Sequence, residues 1–257
     1  MISLYTQLFI DCLLAFFLSS LIHETGHVLA AKYYSWNFIY IIVGPFRLEK
    51  NVSNSKFHFR FERNINLWGG VTCCIPNQCN PKSYFQFSKI LLWGPLTSIV
   101  ASCILFLIYC FNKSYLILLT FGICFGIGFI CSIPIPLRTG IGYTDGYRYY
   151  RIKTKSNIYD DEYVLFQLAT ISHLYSNVTY DELNIIISSA HLSNDYSLHY
   201  YLHYTLLNIA TEMHDYEKQS YELSIINQLI NNVPPYLIKT YPISKYEIKT
   251  SKIDIKE

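Results

Sequence analysis

Charged residues are scarce in this chain. Only 15% of its 257 residues are Asp, Glu, Lys or Arg, and the formal net charge is +2. An average soluble domain carries about 25% charged residues. The sequence also has no run of basic residues with interleaved aromatic side chains, the pattern that binds a phosphate backbone. The composition therefore excludes a nucleic acid partner and argues against an ordinary soluble domain.

The cysteine pattern of a disulfide framework is also missing. The eight cysteines are scattered, and about half of them fall in apolar runs, where cysteine behaves as a small hydrophobic residue. The closest group, Cys73, Cys74 and Cys79, matches no zinc-binding spacing, so we interpret it as structural. The first apolar run has neither the basic flank nor the small-residue cleavage site of a signal peptide, and we expect it to be retained.

Hydrophobic residues, in contrast, make up 51% of the chain. Three apolar segments, at approximately residues 8–31, 87–111 and 115–133, are long enough to cross a bilayer as helices, which takes about 20 residues. Between the first two, in residues 37–75, Phe57, Phe59 and Phe61 alternate with polar residues at the period of a β-strand. The sequence therefore predicts an α-helical polytopic membrane protein with a three-span core over residues 1–150 and a small β-rich loop.

Lysine and arginine indicate the orientation of this core. Eight of them lie between Lys32 and Lys89, whereas the turn between the second and third spans contains only Lys113. The positive-inside rule then places the N-terminus outside and both the β-rich loop and the C-terminus in the cytosol. The frequent Ile, Lys, Asn and Tyr suggest an AT-rich genome, and we expect a bacterial cytoplasmic membrane.

Residues 151–233 change character and predict a soluble cytosolic α-helical domain. Thr179 and Glu182 have the spacing of a capping box, and Asn194-Asp195 is a second helix start. Residues 234–257 contain prolines and lysines and are interpreted as a flexible tail. Two roles for the helices remain open: binding of a cytosolic protein partner or of the substrate, and packing against the membrane core alone.

The stretch LIHETGHVLA places ionisable residues inside the first span. Residues His23 and His27 lie one helical turn apart on one face, the separation that binds one zinc ion, with Glu24 beside the metal as a general base. Ionisable residues within a membrane helix are costly unless they serve a site. The similar pair His199 and His203 has no adjacent glutamate and lies outside the spans, so we interpret it as structural.

A catalytic zinc site needs a third protein ligand and an open position for water. The ligand must reach the depth of the two histidines. Asp11 lies near the opposite surface, whereas Asp145 follows the third span at the inner face. Asp145 is therefore the best candidate.

Three motifs together resemble the site-2 protease family, also called peptidase family M50. They are HETGH in the first span, Gly94-Pro95 in the second, and a proline-rich segment leading to Asp145-Gly146 after the third. Taken alone, Gly94-Pro95 is equally well interpreted as a kinked helix-packing point. The resemblance implies an intramembrane zinc metalloprotease.

The resemblance also implies the roles of individual residues. It assigns His23, His27 and Asp145 as zinc ligands and Glu24 as the catalytic acid and base. The stretch Gly69-Gly70-Val71 resembles the glycine-rich strand region that is proposed to present an edge to extended substrate in this family.

This chain departs from the family pattern at two places. Cys131 stands where the family often has asparagine, and residues 138–144 separate the prolines from Asp145.

The expected function is hydrolysis of peptide bonds in or near the membrane-spanning segment of a membrane protein or peptide precursor. The lipid bilayer and that substrate are the expected partners. One alternative is a catalytically silent membrane scaffold that binds partners through its C-terminal helices, and another is a metal-handling membrane protein. The presence of Glu24 argues against the scaffold, and three spans leave little room for a transport path.

Overall fold

A computed structural model describes residues 4–51, 55–139, 142–154, 161–174, 179–188 and 195–243. The chain divides into two compact units, Met1–Ser156 and Asn157–Glu257. Each unit has its own helices, and they are described separately.

Three long apolar helices form the frame of the first unit: α1 (Leu4–Tyr33), α2 (Pro81–Asn112) and α3 (Tyr115–Ser132). All three are long and apolar enough to cross a membrane, which confirms the predicted spans. Helix α2 begins earlier than predicted because the Asn80 side chain accepts a hydrogen bond from Ser83 N and Pro81 occupies the first turn. Its 32 residues extend about 48 Å, so α2 is longer than the roughly 30 Å hydrocarbon layer.

A small antiparallel sheet connects α1 to α2. Its strands are β1 (Asn37–Val43), β2 (Phe46–Lys50), β3 (Phe57–Phe61) and β4 (Val71–Ile75), with a 3-10 turn at Ile65–Leu67. Their order is β3-β2-β1-β4, so β4 pairs with β1 and forms one edge. The sheet confirms the predicted β-rich loop.

The alternating stretch forms the predicted strand β3, and all five of its residues are exposed. The reason is its position, because β3 is the opposite edge of the sheet and only β2 pairs with it. Phe59 lies opposite Leu48 and packs its ring against Phe46, so the alternation records cross-strand packing rather than a buried face.

The beginning of β4 is attached to the middle of α1. The Ser20 hydroxyl donates a hydrogen bond of 3.1 Å to the Gly69 carbonyl, and the Thr72 hydroxyl lies 3.4 Å from the Glu24 carbonyl as a donor. These bonds hold the edge of the sheet beside the helical turn that carries HETGH. The first unit ends with the short strands β5 (Arg138–Thr139) and β6 (Gly142–Tyr143) and with α4 (Asp145–Thr154).

The second unit is helical. It consists of α5 (Asp161–Leu174), α6 (Tyr180–Ser188), α7 (Tyr196–Glu212), α8 (Tyr216–Leu229), a 3-10 turn at Ile230–Asn232 and α9 (Pro235–Thr240). Each of α5 to α8 packs against the next, around an apolar core that includes Val164, Leu183 and Leu202.

Helix starts in this unit follow the predicted capping signals. Thr179 N and Glu182 Oε2 are joined by a hydrogen bond of 2.9 Å, and Glu182 N donates back to the Thr179 hydroxyl. Asp195 caps α7 through the backbone N–H groups of Ser197 and Leu198. Asn194, its predicted companion, lies outside the described residues.

A buried polar group connects three of these helices. Glu222 of α8 accepts a hydrogen bond from the Tyr180 hydroxyl of α6 and lies 2.7 Å from His203 Nδ1 of α7. Glu222 is fully buried. His203 thus has a structural partner in the helical core, which agrees with the structural interpretation of the His199 and His203 pair.

Helix α9 lies within the stretch that the sequence analysis treats as a tail. Its Leu237 is buried, and the carbonyl of the following Tyr241 accepts a hydrogen bond of 2.6 Å from the Tyr200 hydroxyl. Residues 235–243 are therefore packed on the helical unit, whereas residues 244–257 of the predicted tail lie outside the described residues.

Candidate metal centre

The HETGH motif lies in the middle of α1, on the face that packs inside the three-helix frame. His23, Glu24 and His27 are all buried. The two imidazole rings lie 5.0 Å apart between centroids, at an interplanar angle of 82°. One turn of helix thus places two ring nitrogens and a carboxylate in the same enclosed space, as the spacing predicts.

Helix α2 orients both imidazoles through their Nδ1 atoms. His27 Nδ1 lies 2.9 Å from the Ile90 carbonyl oxygen, and His23 Nδ1 lies 3.1 Å from the Ser98 hydroxyl. A carbonyl can only accept, so Nδ1 of His27 carries the proton and donates it. In the neutral ring, Nε2 then holds the free lone pair that a metal ion requires.

Asp145 meets both histidines from the other side. Its Oδ2 lies 3.0 Å from His23 Nε2 and 3.3 Å from His27 Nε2. The structure therefore brings together all three residues that the sequence analysis assigns as ligands.

The short strands β5 and β6, which lie among the inserted residues before Asp145, pair with each other. Thr144 N donates a hydrogen bond of 3.0 Å to the Leu137 carbonyl, and Arg138 pairs with Tyr143 across β5 and β6. Thr144, the residue before α4, is thus next to Leu137. This small hairpin explains how Asp145 reaches the histidines although residues 138–144 separate it from the prolines.

Close packing of α4 on α3 completes the placement of Asp145. The position of a Cβ on Gly146 would lie 2.5 Å from the Ser132 carbonyl oxygen and 2.7 Å from that of Cys131. A larger residue than glycine would push the first turn of α4 away from the end of α3. Asp145-Gly146 is therefore a candidate ligand position followed by a packing position.

These residues fit a divalent metal ion. Without a cation, the Nε2 lone pair of neutral His27 would face a carboxylate oxygen 3.3 Å away, which is repulsive. Ligands bound tetrahedrally to zinc at about 2.0–2.2 Å are about 3.3 Å apart, close to the observed separations.

Glu24 has the position of a base beside this centre. A Cβ on Gly70 would lie 2.7 Å from Glu24 Oε1, so the carboxylate packs directly on the turn before β4. Gly70 also has a φ of +113°, which side-chain-bearing residues rarely adopt. Glycine at this position therefore permits the backbone conformation of the turn and leaves room for the Glu24 carboxylate.

The comparison with known families agrees with this geometry. The family model described as Peptidase family M50 matches residues 11–244, which is nearly the whole chain. The chain belongs to peptidase family M50. With its three apolar helices it is a membrane protein, and its family makes it a metallopeptidase. Searches of curated proteins and of solved structures found no match.

Gly94 of this M50 peptidase lies directly against the two histidines of the candidate metal centre. A Cβ on Gly94 would overlap the His27 ring at Nε2 and would lie 2.9 Å from His23 Nε2. From the sequence, Gly94-Pro95 is interpreted as a family motif or a packing point. The structure shows why this position must be glycine. It leaves free the space in front of both ring nitrogens.

Sequence reasoning missed the groups that orient the histidines. Ser98 is a fully buried hydroxyl in an apolar helix, a signal that marks a candidate hydrogen-bond partner. The carbonyl of Ile90 gives no such signal, because every residue has one. Its role depends on how α2 packs against α1.

Substitution of Gly94 by alanine is expected to weaken zinc binding about tenfold or more. The added methyl group occupies the space in front of His27 Nε2, and overpacking typically costs about 1–3 kcal/mol, where 1.4 kcal/mol equals a factor of ten. Zinc titration of the purified chain measures this. Gly122→Ala in α3 is the matched control, since nothing lies within 4 Å of its added Cβ. Equal zinc affinity of the two variants would contradict the role of Gly94.

The cysteine group of the sheet has a different character. Burial raises the pKa of Cys74 to about 12 and that of Cys73 to about 11. Neither belongs to a described group of side chains that could hold a metal ion. Among the described residues, the three-residue group with metal-ligand geometry is instead His23, Cys131 and Asp145.

Proposed function

We propose that this M50 peptidase is an intramembrane zinc metalloprotease. It hydrolyses peptide bonds in or near the membrane-spanning segment of a membrane protein or peptide precursor. The observation that carries the proposal is that Asp145 Oδ2 lies 3.0 Å from His23 Nε2 and 3.3 Å from His27 Nε2, with the buried Glu24 beside them. His23, Glu24 and His27 lie on an apolar helix that is long enough to cross a membrane, which supports a substrate within the membrane.

The protein residues have distinct tasks in this reaction. His23, His27 and Asp145 would hold the zinc ion, which, when bound, acidifies water and polarises a peptide carbonyl. Glu24 takes a proton from the attacking water and delivers it to the leaving amine. The Ile90 carbonyl keeps His27 in the tautomer that presents Nε2, and the Ser98 hydroxyl orients the His23 ring through Nδ1.

The substrate is proposed to add as a strand to β4, starting at Gly69-Gly70-Val71. A peptide in a helix hides its carbonyl groups in internal hydrogen bonds, so the segment to be cut must be extended first. Strand β4 is an edge of the sheet, and the turn at Gly70 that precedes it packs against Glu24. Main-chain bonds to this edge would place an extended segment next to the base.

Substrate peptides methylated at single backbone nitrogens test strand addition. Successive N–H groups of a strand point to opposite sides, so only every second one can bond to β4. We expect cleavage to fall up to about tenfold at alternate positions, the loss expected for one hydrogen bond of about 0.5–1.5 kcal/mol. Methylation far from the cut site is the control. Equal effects at successive positions would contradict the added strand.

The proposed orientation has the N-terminus outside and the C-terminus in the cytosol of a bacterium. Its support is the concentration of lysine and arginine between Lys32 and Lys89. The β4 edge and the cut site then lie toward the cytosolic side. The C-terminal helices would be available to a cytosolic protein partner.

A catalytically silent scaffold is the competing function. Such a scaffold has no need of a carboxylate beside two histidines, yet Glu24 is buried at that place. The cost of a buried charge in a membrane helix favours the enzyme.

Cleavage in vesicles tests the proposed function. The purified full chain is loaded with Zn²⁺ in lipid vesicles together with a panel of single-span peptides, and mass spectrometry locates each cut. Cuts within or beside the apolar segment, abolished by a zinc chelator, are expected. Chelator-sensitive cleavage of soluble linear peptides alone would contradict the intramembrane site, and zinc binding without any cleavage would favour the scaffold.

A further inference from the structure

Cys131 lies at the candidate metal centre, although it is not one of the three assigned ligands His23, His27 and Asp145. Its Sγ, a ring nitrogen of His23 and a carboxylate oxygen of Asp145 all lie within 4.8 Å of one another. Cys131 is the last residue but one of α3, and its carbonyl oxygen packs against Gly146, directly after Asp145. The contact that positions Asp145 therefore also keeps the thiol at the centre.

The other cysteines near the centre differ from Cys131. The thiol of Cys124 donates a hydrogen bond to the Ser98 carbonyl, and Cys124 is absent from the metal-ligand group. Cys74 lies on β4 and is absent from the metal-ligand group. Among the described residues, Cys131 Sγ has no hydrogen-bond partner. It is therefore the thiol that is free to bind a metal ion held by its two neighbours.

We propose that Cys131 is a fourth protein donor to the metal ion in the substrate-free enzyme. This inference rests on the proposed zinc centre of His23, His27 and Asp145. A site with four protein ligands is closed, whereas catalysis requires one open position. The enzyme without substrate is then latent, and the Cys131 sulfur must leave the metal ion before cleavage begins.

The proton balance of this step is simple. Formation of the sulfur–metal bond breaks the S–H bond and releases one proton to solvent, since the thiolate is the ligand. When the sulfur leaves the metal ion, the thiolate takes up a proton again. No oxidant or reductant takes part.

Cobalt(II) spectroscopy of the purified full chain in detergent tests this inference. Co²⁺ replaces Zn²⁺ as the probe, and sulfur bound to Co²⁺ gives a near-ultraviolet charge-transfer absorption. We expect that absorption in the wild type and in Cys74→Ser, and its loss in Cys131→Ser with Co²⁺ still bound. The Co²⁺ affinity of Cys131→Ser should fall at least about tenfold, since even partners outside the ligand set contribute 10–100-fold. Its cleavage rate should rise, because the closed state is lost.

Each further outcome decides between the two proposals. Wild-type protein that binds Co²⁺ with visible d–d bands but no charge-transfer absorption overturns the role of Cys131 and leaves the zinc centre intact. Charge-transfer absorption that survives in Cys131→Ser also overturns it. Failure of the wild type and of both variants to bind Co²⁺ or Zn²⁺ overturns the metal centre itself, and the role of Cys131 with it.

Discussion

Replacement of Glu24 by glutamine is expected to reduce peptide cleavage by about 10²–10⁴-fold, the contribution of a positioned acid and base. The amide has the size of the carboxylate, so its contact with Gly70 can be kept. It cannot take a proton from water. Because Glu24 is not a proposed ligand, zinc content should remain at the wild-type level.

Native cells provide the measurement for Glu24→Gln. The N-termini of membrane proteins and peptides are compared between cells with wild-type protein and cells with the variant at equal expression. A terminus within or beside an apolar segment that is absent from the variant identifies a substrate. Glu49→Gln on β2 is the control, because Glu49 pairs with Arg47 and Arg60 rather than with the metal ligands.

The opposite result would have a clear meaning. Identical N-termini in wild-type and Glu24→Gln cells under several growth conditions, together with normal zinc content, would remove Glu24 from catalysis. The metal centre would then support a scaffold whose fold depends on zinc.

Local sequence signals were sufficient to predict the three membrane-spanning helices. The three spans are long apolar runs, and HETGH lies within one helix, so its two imidazoles and carboxylate depend on helix geometry alone. The capping box at Thr179 and Glu182 is equally local. Such features need no knowledge of how distant segments pack.

Features that depend on packing could be predicted only in part from the sequence. The edge position of β4 follows from its pairing with β1 rather than with β3, its neighbour in sequence, and no local pattern specifies that order. The contact of Gly94 with His27 depends on the crossing of α1 and α2. The hydrogen bond between Thr144 and Leu137 brings Asp145 close to the prolines, and this closeness cannot be seen from their separation in the sequence.

The thiol of Cys131 illustrates the same division. Its place in the sequence showed a departure from the family pattern, since asparagine often occurs there. Only the fold shows that this thiol lies within 4.8 Å of ligand atoms of His23 and Asp145. The departure from the family pattern gives Cys131 no role by itself, whereas this distance supports its role as a metal ligand.

Substitution of Asp145 by alanine is expected to lower zinc affinity at least about 100-fold and to abolish cleavage. Removal of a direct ligand should exceed the 10–100-fold loss that follows removal of partners outside the ligand set. His23 and His27 would then bind the ion without the carboxylate that lies 3.0 and 3.3 Å from their Nε2 atoms. Zinc titration and metal analysis of the purified chain measure the loss.

The control for Asp145→Ala must account for the helix that Asp145 begins. An acidic residue in the first turn stabilises a helix by about 0.3–1 kcal/mol, so part of any effect could come from α4 itself. Asp161→Ala removes an acidic residue from the first turn of α5 and should leave zinc binding unchanged. Full zinc affinity in Asp145→Ala would exclude Asp145 as a ligand. Loss of zinc here, with zinc retained in Glu24→Gln, would separate the residue that holds the metal ion from the residue that moves the proton.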